Sequence, residues 1–158
     1  MRFIKLGIIS IIFFFLLLTS ISLLIPSHIR ISKAIDIMGN KDSILSLIKN
    51  RESWSEWHPA FQQKDTSIQK GVTIHPIVQN DSTIQMQVKK GNNPPIINGW
   101  QIYSFPATDS LTLQWYMDFH LSWYPWQKFS SLLYEKTYGV MMERGLQNIK
   151  TKVEGNRE

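Results

Sequence analysis

The side chains in this sequence that could carry acid–base chemistry are His58, His75, His120, Asp118, Glu56 and Tyr116. A general acid or base must come within hydrogen-bond reach of its substrate. Tyr116, Asp118 and His120 alternate along one stretch, so they are expected on the solvated face of a strand, at most paired with one another. His58 closes the segment Trp54-Ser55-Glu56-Trp57-His58-Pro59 and is the one catalytic candidate, although a lone histidine is a weak signal. No histidines stand at HxH or HxxxH spacing, and the chain has no cysteine. Metal ligation, thiolate catalysis and disulfides therefore have no sequence support. Gly91, Gly99, Gly139 and Gly145 are isolated, so no phosphate-cradling loop is expected, and there is no Gly-x-Ser-x-Gly elbow. The reading is of no metal, no cofactor and, on balance, no enzyme.

The elements that would position these residues begin with residues 6–25, twenty positions without a charge, fifteen of them Leu, Ile or Phe. At about 1.5 Å per residue such a helix reaches roughly 30 Å, the thickness of a hydrocarbon core. Counting about −0.3 to −0.6 kcal/mol for each apolar residue bounds insertion at roughly −5 to −9 kcal/mol. A buried core helix seldom runs so long without a polar stripe. A cleaved signal peptide is the stronger competitor, since Arg2 and Lys5 resemble a charged leader and Ser20-Ile21-Ser22 resembles a cleavage site. The run continues past that point to Pro26, which favours a retained anchor. Orientation turns on the α-amine, Arg2 and Lys5 against Arg30 and Lys33. A very short basic N-terminus usually stays in the cytoplasm, which places the domain on the extracytoplasmic side of a cell membrane.

The formal charge of +5 suits a protein beside an anionic leaflet, but lysine and arginine are scattered, and no nucleic-acid-binding run is present. The chain beyond the anchor is long enough for one domain. Residues 29–37 alternate as a strand, broken only by Lys33. Asp42 or Ser43 is expected to cap a helix with Ile44, Leu45, Leu47 and Ile48 on its apolar face, and a second short helix to carry Trp54 and Trp57. A meander is expected over 72–78, 83–90, 100–105 and 111–123, separated by turns at 80–82, 91–95 and 106–109. Leu111, Leu113, Trp115, Met117, Phe119, Leu121 and Trp123 place one apolar face on the last strand. A C-terminal helix with Met142, Leu146, Ile149 and Val153 in line is expected to cover it. Phe129, Leu132 and Leu133 make a further apolar patch, and Gly139, between the two patches, marks a bend or rephasing.

Four stretches together resemble a family: residues 24–27 leading into the first strand; Trp54-Ser55-Glu56-Trp57-His58-Pro59; Trp123-Tyr124-Pro125-Trp126; and Tyr138-Gly139, Met142-Glu143, Gly145-Leu146 and Asn148-Ile149-Lys150. The chain resembles the SRPBCC superfamily, also called START-like or polyketide cyclase/dehydrase-like, and within it the bacterial members that carry an N-terminal membrane anchor. The resemblance implies an α+β helix-grip fold: a curved antiparallel sheet, two short helices and a long C-terminal helix, preceded by one transmembrane helix. It divides the chain into an anchor with a short tether at 1–27, a START-like domain at 28–155 and a disordered tail at 156–158. The connection at 61–71 is shorter than the family's, so five or six strands are expected.

The resemblance also implies an apolar small molecule or lipid held between the sheet and the C-terminal helix, with Trp57, Trp115, Met117, Phe119, Leu121 and Met142 as ligand-binding candidates. For each of these, plain core packing is the competing role. Trp54 and Trp57 are read as fastening their helix to the sheet, with an interfacial belt at the membrane as a lesser reading of the six tryptophans. Two further alternatives stand beside the binding module. One is a non-catalytic envelope interaction domain with a filled cavity; the other is a cyclase-, dehydratase- or hydrolase-type enzyme using His58.

Overall fold

The computed structural model describes residues 2–62, 71–105, 108 and 110–155. The apolar stretch forms α1, Arg2–Ser22, whose segment Phe3–Ser22 is long and apolar enough to cross a membrane. Thr19, Ser20 and Ser22 fold their hydroxyls back onto the carbonyls of Phe15, Leu16 and Thr19 at 2.8–2.9 Å, so the helix satisfies its own polar groups. It stops three residues before the end of the apolar run. Leu23, Leu24 and Ile25 leave it as turns, and Pro26 comes next with no N–H to continue.

The domain has five antiparallel strands: β1 (His28–Met38), β2 (Val72–Gln79), β3 (Thr83–Lys90), β4 (Ile96–Ser104) and β5 (Ser110–His120), in the order β1-β5-β4-β3-β2. The first strand thus pairs with the last, Ile31 opposite Met117 and Ile37 opposite Leu111. Between β1 and β2 lie α2 (Lys41–Lys49), a 3₁₀ turn (Arg51–Ser53), α3 (Trp54–Trp57) and α4 (Pro59–Gln62). Asn40, rather than Asp42 or Ser43, caps α2, its side chain accepting the Asp42 N–H. Beyond β5 come α5 (Pro125–Ser131), a π-helical turn (Glu135–Gly139) and the long α6 (Val140–Gly155).

Two strand ends differ from the sequence reading. β4 starts at Ile96, four residues early, because Asn98 and Gly99 pair with Met117 and Tyr116 despite their turn-like composition. β5 ends at His120, not Trp123, because the Ser122 N–H is taken by the Gln127 side chain and Pro125 opens α5. Trp123 is consequently 61% exposed. The turn at 106–109, except Thr108, most of the 61–71 connection and the 156–158 tail lie outside the described residues.

On the face covered by helices, the strand register builds cross-sheet rows. Lys33, Trp115, Trp100 and Ile84 form one row, and Ile31, Met117, Asn98 and Met86 the next. α6 lays Met142, Gly145, Leu146, Ile149 and Val153 on that face, all buried, as its spacing predicts. Gly145 is the point of closest approach: a Cβ there would stand 2.7 Å from the Trp115 ring. Trp54 and Trp57 join this core and anchor their indole N–H groups on the carbonyls of Ile48 and Leu47 at 2.8 and 3.0 Å. Lys33 does not break the pattern of β1. It lies on the covered side beneath Gly139 and reaches Glu135 and Glu143 at 2.7 and 2.8 Å. Those carboxylates raise its pKa well above the ordinary lysine value.

Candidate functional site

The tryptophan row fills the middle of the core. Trp100 and Trp115 stack with centroids 5.5 Å apart, and Trp57 meets both edge-on. Trp57, Trp115 and Met142 are completely buried there, and none of the three lines a cavity. The packing loosens one row along the strands. There a cleft of about 210 Å³ opens among Trp54, His58, Phe61, Ile96, Asn98 and Met117, with Val88, Lys90, Tyr138 and Met141 among its other wall residues. A second cavity of about 250 Å³ adjoins it, bounded by Phe119, Leu121, His120, Tyr134, Gln127 and the Pro94-Pro95 turn. Ile96 and Tyr138 line both. Of the residues expected at a ligand, Met117 therefore lies at the first cleft, and Phe119 and Leu121 at the second.

His58 sits in a cage of rings. Its imidazole stacks on Trp54 at 5.6 Å and meets Phe61 and Trp115 edge-on at 4.9 and 5.0 Å. Burial pushes the imidazole pKa down from 6.5 to about 4. His58 is therefore neutral at pH 7. Its Nδ1 accepts the Ala60 N–H at 3.2 Å, so the single proton of the neutral ring resides on Nε2.

Asn98 is the polar residue of the cleft that the sequence did not single out. It is buried, and its Oδ1 accepts the Trp115 indole N–H at 3.2 Å. Because an indole nitrogen only donates, this bond fixes the amide orientation and leaves the Asn98 NH₂ as a donor. Among the described residues neither His58 Nε2 nor Asn98 Nδ2 has a hydrogen-bond partner. The cleft is mainly apolar, and His58 and Asn98 bring two donors to it, beside Lys90 and Tyr138 in its wall. Among the described residues Trp100 Nε1 is the fully buried side-chain donor without a partner.

On the opposite face, Tyr116 and Asp118 are buried rather than solvated. Asp118 is gripped side-on by Arg30, and the guanidinium lies 4.4 Å over the Tyr116 ring. That ring in turn lies on Gly99, where a Cβ would collide with it, and its hydroxyl accepts from Gln85 at 2.6 Å. His120 is exposed and stacks on His28 at 4.7 Å. These side chains form a structural cluster away from the cleft. His75 is exposed on β2 and Glu56 pairs with Lys152, so neither joins His58. Among the described residues no three His, Asp or Glu side chains converge as a metal site would require.

A sheet whose first and last strands pair, crossed by a C-terminal helix over an apolar cleft, defines a START-like fold. Comparison with solved structures agrees. A START superfamily protein from Mycobacterium smegmatis superposes with a TM-score of 0.53 at 15% identity, over 80% of this chain and 97% of that one. The protein XoxI from Bacillus cereus gives 0.56 at 11% identity, over 82% and 98%. The di-domain aromatase/cyclase StfQ from the steffimycin biosynthetic pathway gives 0.61 at 7% identity, over 82% of this chain and 52% of that one. No family model matches the sequence, and no curated protein does. The chain has a START-like fold.

Proposed function

We propose that this protein is a membrane-anchored START-like binding module whose cleft takes an apolar small molecule or lipid carrying one hydrogen-bond acceptor. The observation that carries this reading is that His58 and Asn98, whose Nε2–H and NH₂ have no partner among the described residues, both line a cleft made mainly of rings and apolar side chains, with Lys90 in its wall. Such a site suits a carbonyl, ester or carboxylate oxygen on a hydrophobic body, which can accept from these donors while its apolar part meets the rings. His58 serves as a neutral donor rather than as a general acid, because it ionises only near pH 4. At about 210 Å³ the cleft suits a short chain or a single ring system. A larger ligand would also enter the adjoining cavity past Tyr138. In this reading α1 spans the membrane and the domain stands on its extracytoplasmic side, where lipid is within reach.

The alternative of an interaction domain has one observation in its favour: the solid tryptophan core, which leaves only part of the interior open. Against strand addition at the sheet edge, β2 carries Pro76 and an irregularity between Pro76 and Val78 that interrupt the ladder. Native mass spectrometry of the full chain released from detergent separates the two readings. A reproducible apolar adduct that disappears in Val88→Trp, which fills the cleft, is the expected result. A ligand-free wild type that also fails to bind added fatty acids, fatty-acyl esters and apolar ketones would refute the binding module.

A further inference from the structure

The patch at 123–133 is not absorbed by the cleft. Trp123 and Trp126 are each 61% exposed, Leu132 and Leu133 slightly more, and Tyr124 more than a third. Trp123 packs on Tyr124 and Tyr124 stacks on Trp126, with centroids 4.7 and 4.8 Å apart, so the three rings form one apolar slab. Isolated apolar side chains on a surface need no explanation, but a continuous aromatic and leucine patch does.

Its position is fixed by Lys128. This side chain is buried on the inner side of α5, and its ammonium donates to the Ile25 carbonyl at 2.6 Å and the Ser27 hydroxyl at 2.7 Å. The Leu121 N–H holds the Ser27 carbonyl at 2.7 Å from the other side. The tether between α1 and the domain is therefore clamped. The Trp-Tyr-Trp slab is thus carried at the start of the helix whose Lys128 grips the residues just after α1. Leu23 and Leu24, at the end of α1, are 69% and 85% exposed.

We propose that Trp123, Tyr124, Trp126, Leu132 and Leu133 form an apron that rests in the headgroup layer of the bilayer spanned by α1. The inference rests on reading α1 as a membrane span. The occupant is lipid because the patch sits on the helix that Lys128 fastens to the end of that span, and because Trp and Tyr are the side chains that favour the boundary between hydrocarbon and water. The apron also orients the cleft. Gln127 and Tyr134, which flank it, line the cavity next to the His58 cleft, so that cavity is held near the lipid surface.

The six tryptophans make the test direct, since Trp54, Trp57, Trp100 and Trp115 are at most 2% exposed and only Trp123 and Trp126 can meet an external quencher. The full chain is reconstituted into phosphatidylcholine/phosphatidylglycerol vesicles, with and without brominated acyl chains, and recovered by flotation. The expected result is emission that is quenched by brominated lipid and shielded from aqueous iodide. In Trp123→Phe/Trp126→Phe the lipid-quenched component is lost. Floated protein whose emission is open to iodide and insensitive to brominated lipid would overturn the apron while leaving the anchor intact. Protection from both quenchers would also overturn it, pointing to a protein cover. A chain that does not float would remove the anchor reading, and the apron with it.

Discussion

Arg30 holds Asp118 in a side-on grip, Nε to Oδ1 at 2.6 Å and Nη2 to Oδ2 at 2.7 Å, directly across the β1–β5 ladder. The Asp118 side chain is 10% exposed and that of Arg30 54%, so the carboxylate depends on this partner for most of its solvation. Arg30→Ala is expected to cost about 1.5–3 kcal/mol, with the exposure of Arg30 favouring the lower end. Arg30→Lys should recover only part, because an ammonium gives up both the paired bonds and the stack on Tyr116. Urea unfolding of the full chain in detergent checks this. A lysine variant as stable as wild type would show that charge alone matters here.

His58 gives the fold a pH dependence whose sign is fixed. Its pKa is about 6.5 unfolded and about 4 folded, so between these values the unfolded chain binds the extra proton. Its contribution is complete above pH 6.5 and is lost as pH falls toward 4, by roughly 3 kcal/mol in all. The difference in unfolding free energy between wild type and His58→Gln, tracked from pH 7 to 4 in detergent, isolates this from other groups. A constant difference across that range would mean the imidazole is not shielded as its ring cage implies.

Much of this arrangement was legible in the sequence, because period-two and helical patterns depend only on which face is buried. The apolar series from Leu111 to Leu121 and the cover by Met142, Leu146, Ile149 and Val153 both arise from that. Tyr116 and Asp118 escaped the same logic. Their burial comes from Arg30 and Gly99 on neighbouring strands, and the pairing register that brings those residues alongside is not written in local spacing. Asn98 escaped for a related reason, since Asn-Gly has turn composition and only pairing with β5 draws it into a strand and toward the cleft. Lys128 reads as an ordinary surface lysine on α5. Its role is visible only once the helix end lies beside it.

Among the core tryptophans, Trp54 and Trp100 differ in one atom's circumstances. The Trp54 N–H is bonded to Ile48, whereas the Trp100 N–H is buried with no partner among the described residues. Trp100→Phe removes an unsatisfied donor while losing some ring area; Trp54→Phe loses similar area and strands a carbonyl. The Trp54 variant is expected to be the less stable by about 1–2 kcal/mol. Equal thermal stabilities in detergent would contradict the assignment of Trp100 Nε1 as unpaired.

Gly145 sets how closely α6 approaches the sheet, and its environment predicts a cost that a simple helix-propensity argument gets wrong in sign. Alanine favours a helix interior over glycine by about 1 kcal/mol. At this position, however, the added Cβ would meet Trp115 at 2.7 Å and the Pro59 Cδ at 3.2 Å, and neither ring has freedom to withdraw. Trp115 is pinned by Trp100, Trp57 and the bond to Asn98; Pro59 begins α4. Overpacking of this kind costs about 1–3 kcal/mol, so Gly145→Ala should be destabilising on balance. The displacement should also be felt at the cleft, because Trp115 orients Asn98, whose amide is one of the two donors. Weaker retention of an apolar probe by Gly145→Ala, with Gly7→Ala in the open helix α1 as the neutral comparison, is the expected pattern. A Gly145→Ala variant more stable than wild type would show that α6 can lift from the sheet without penalty.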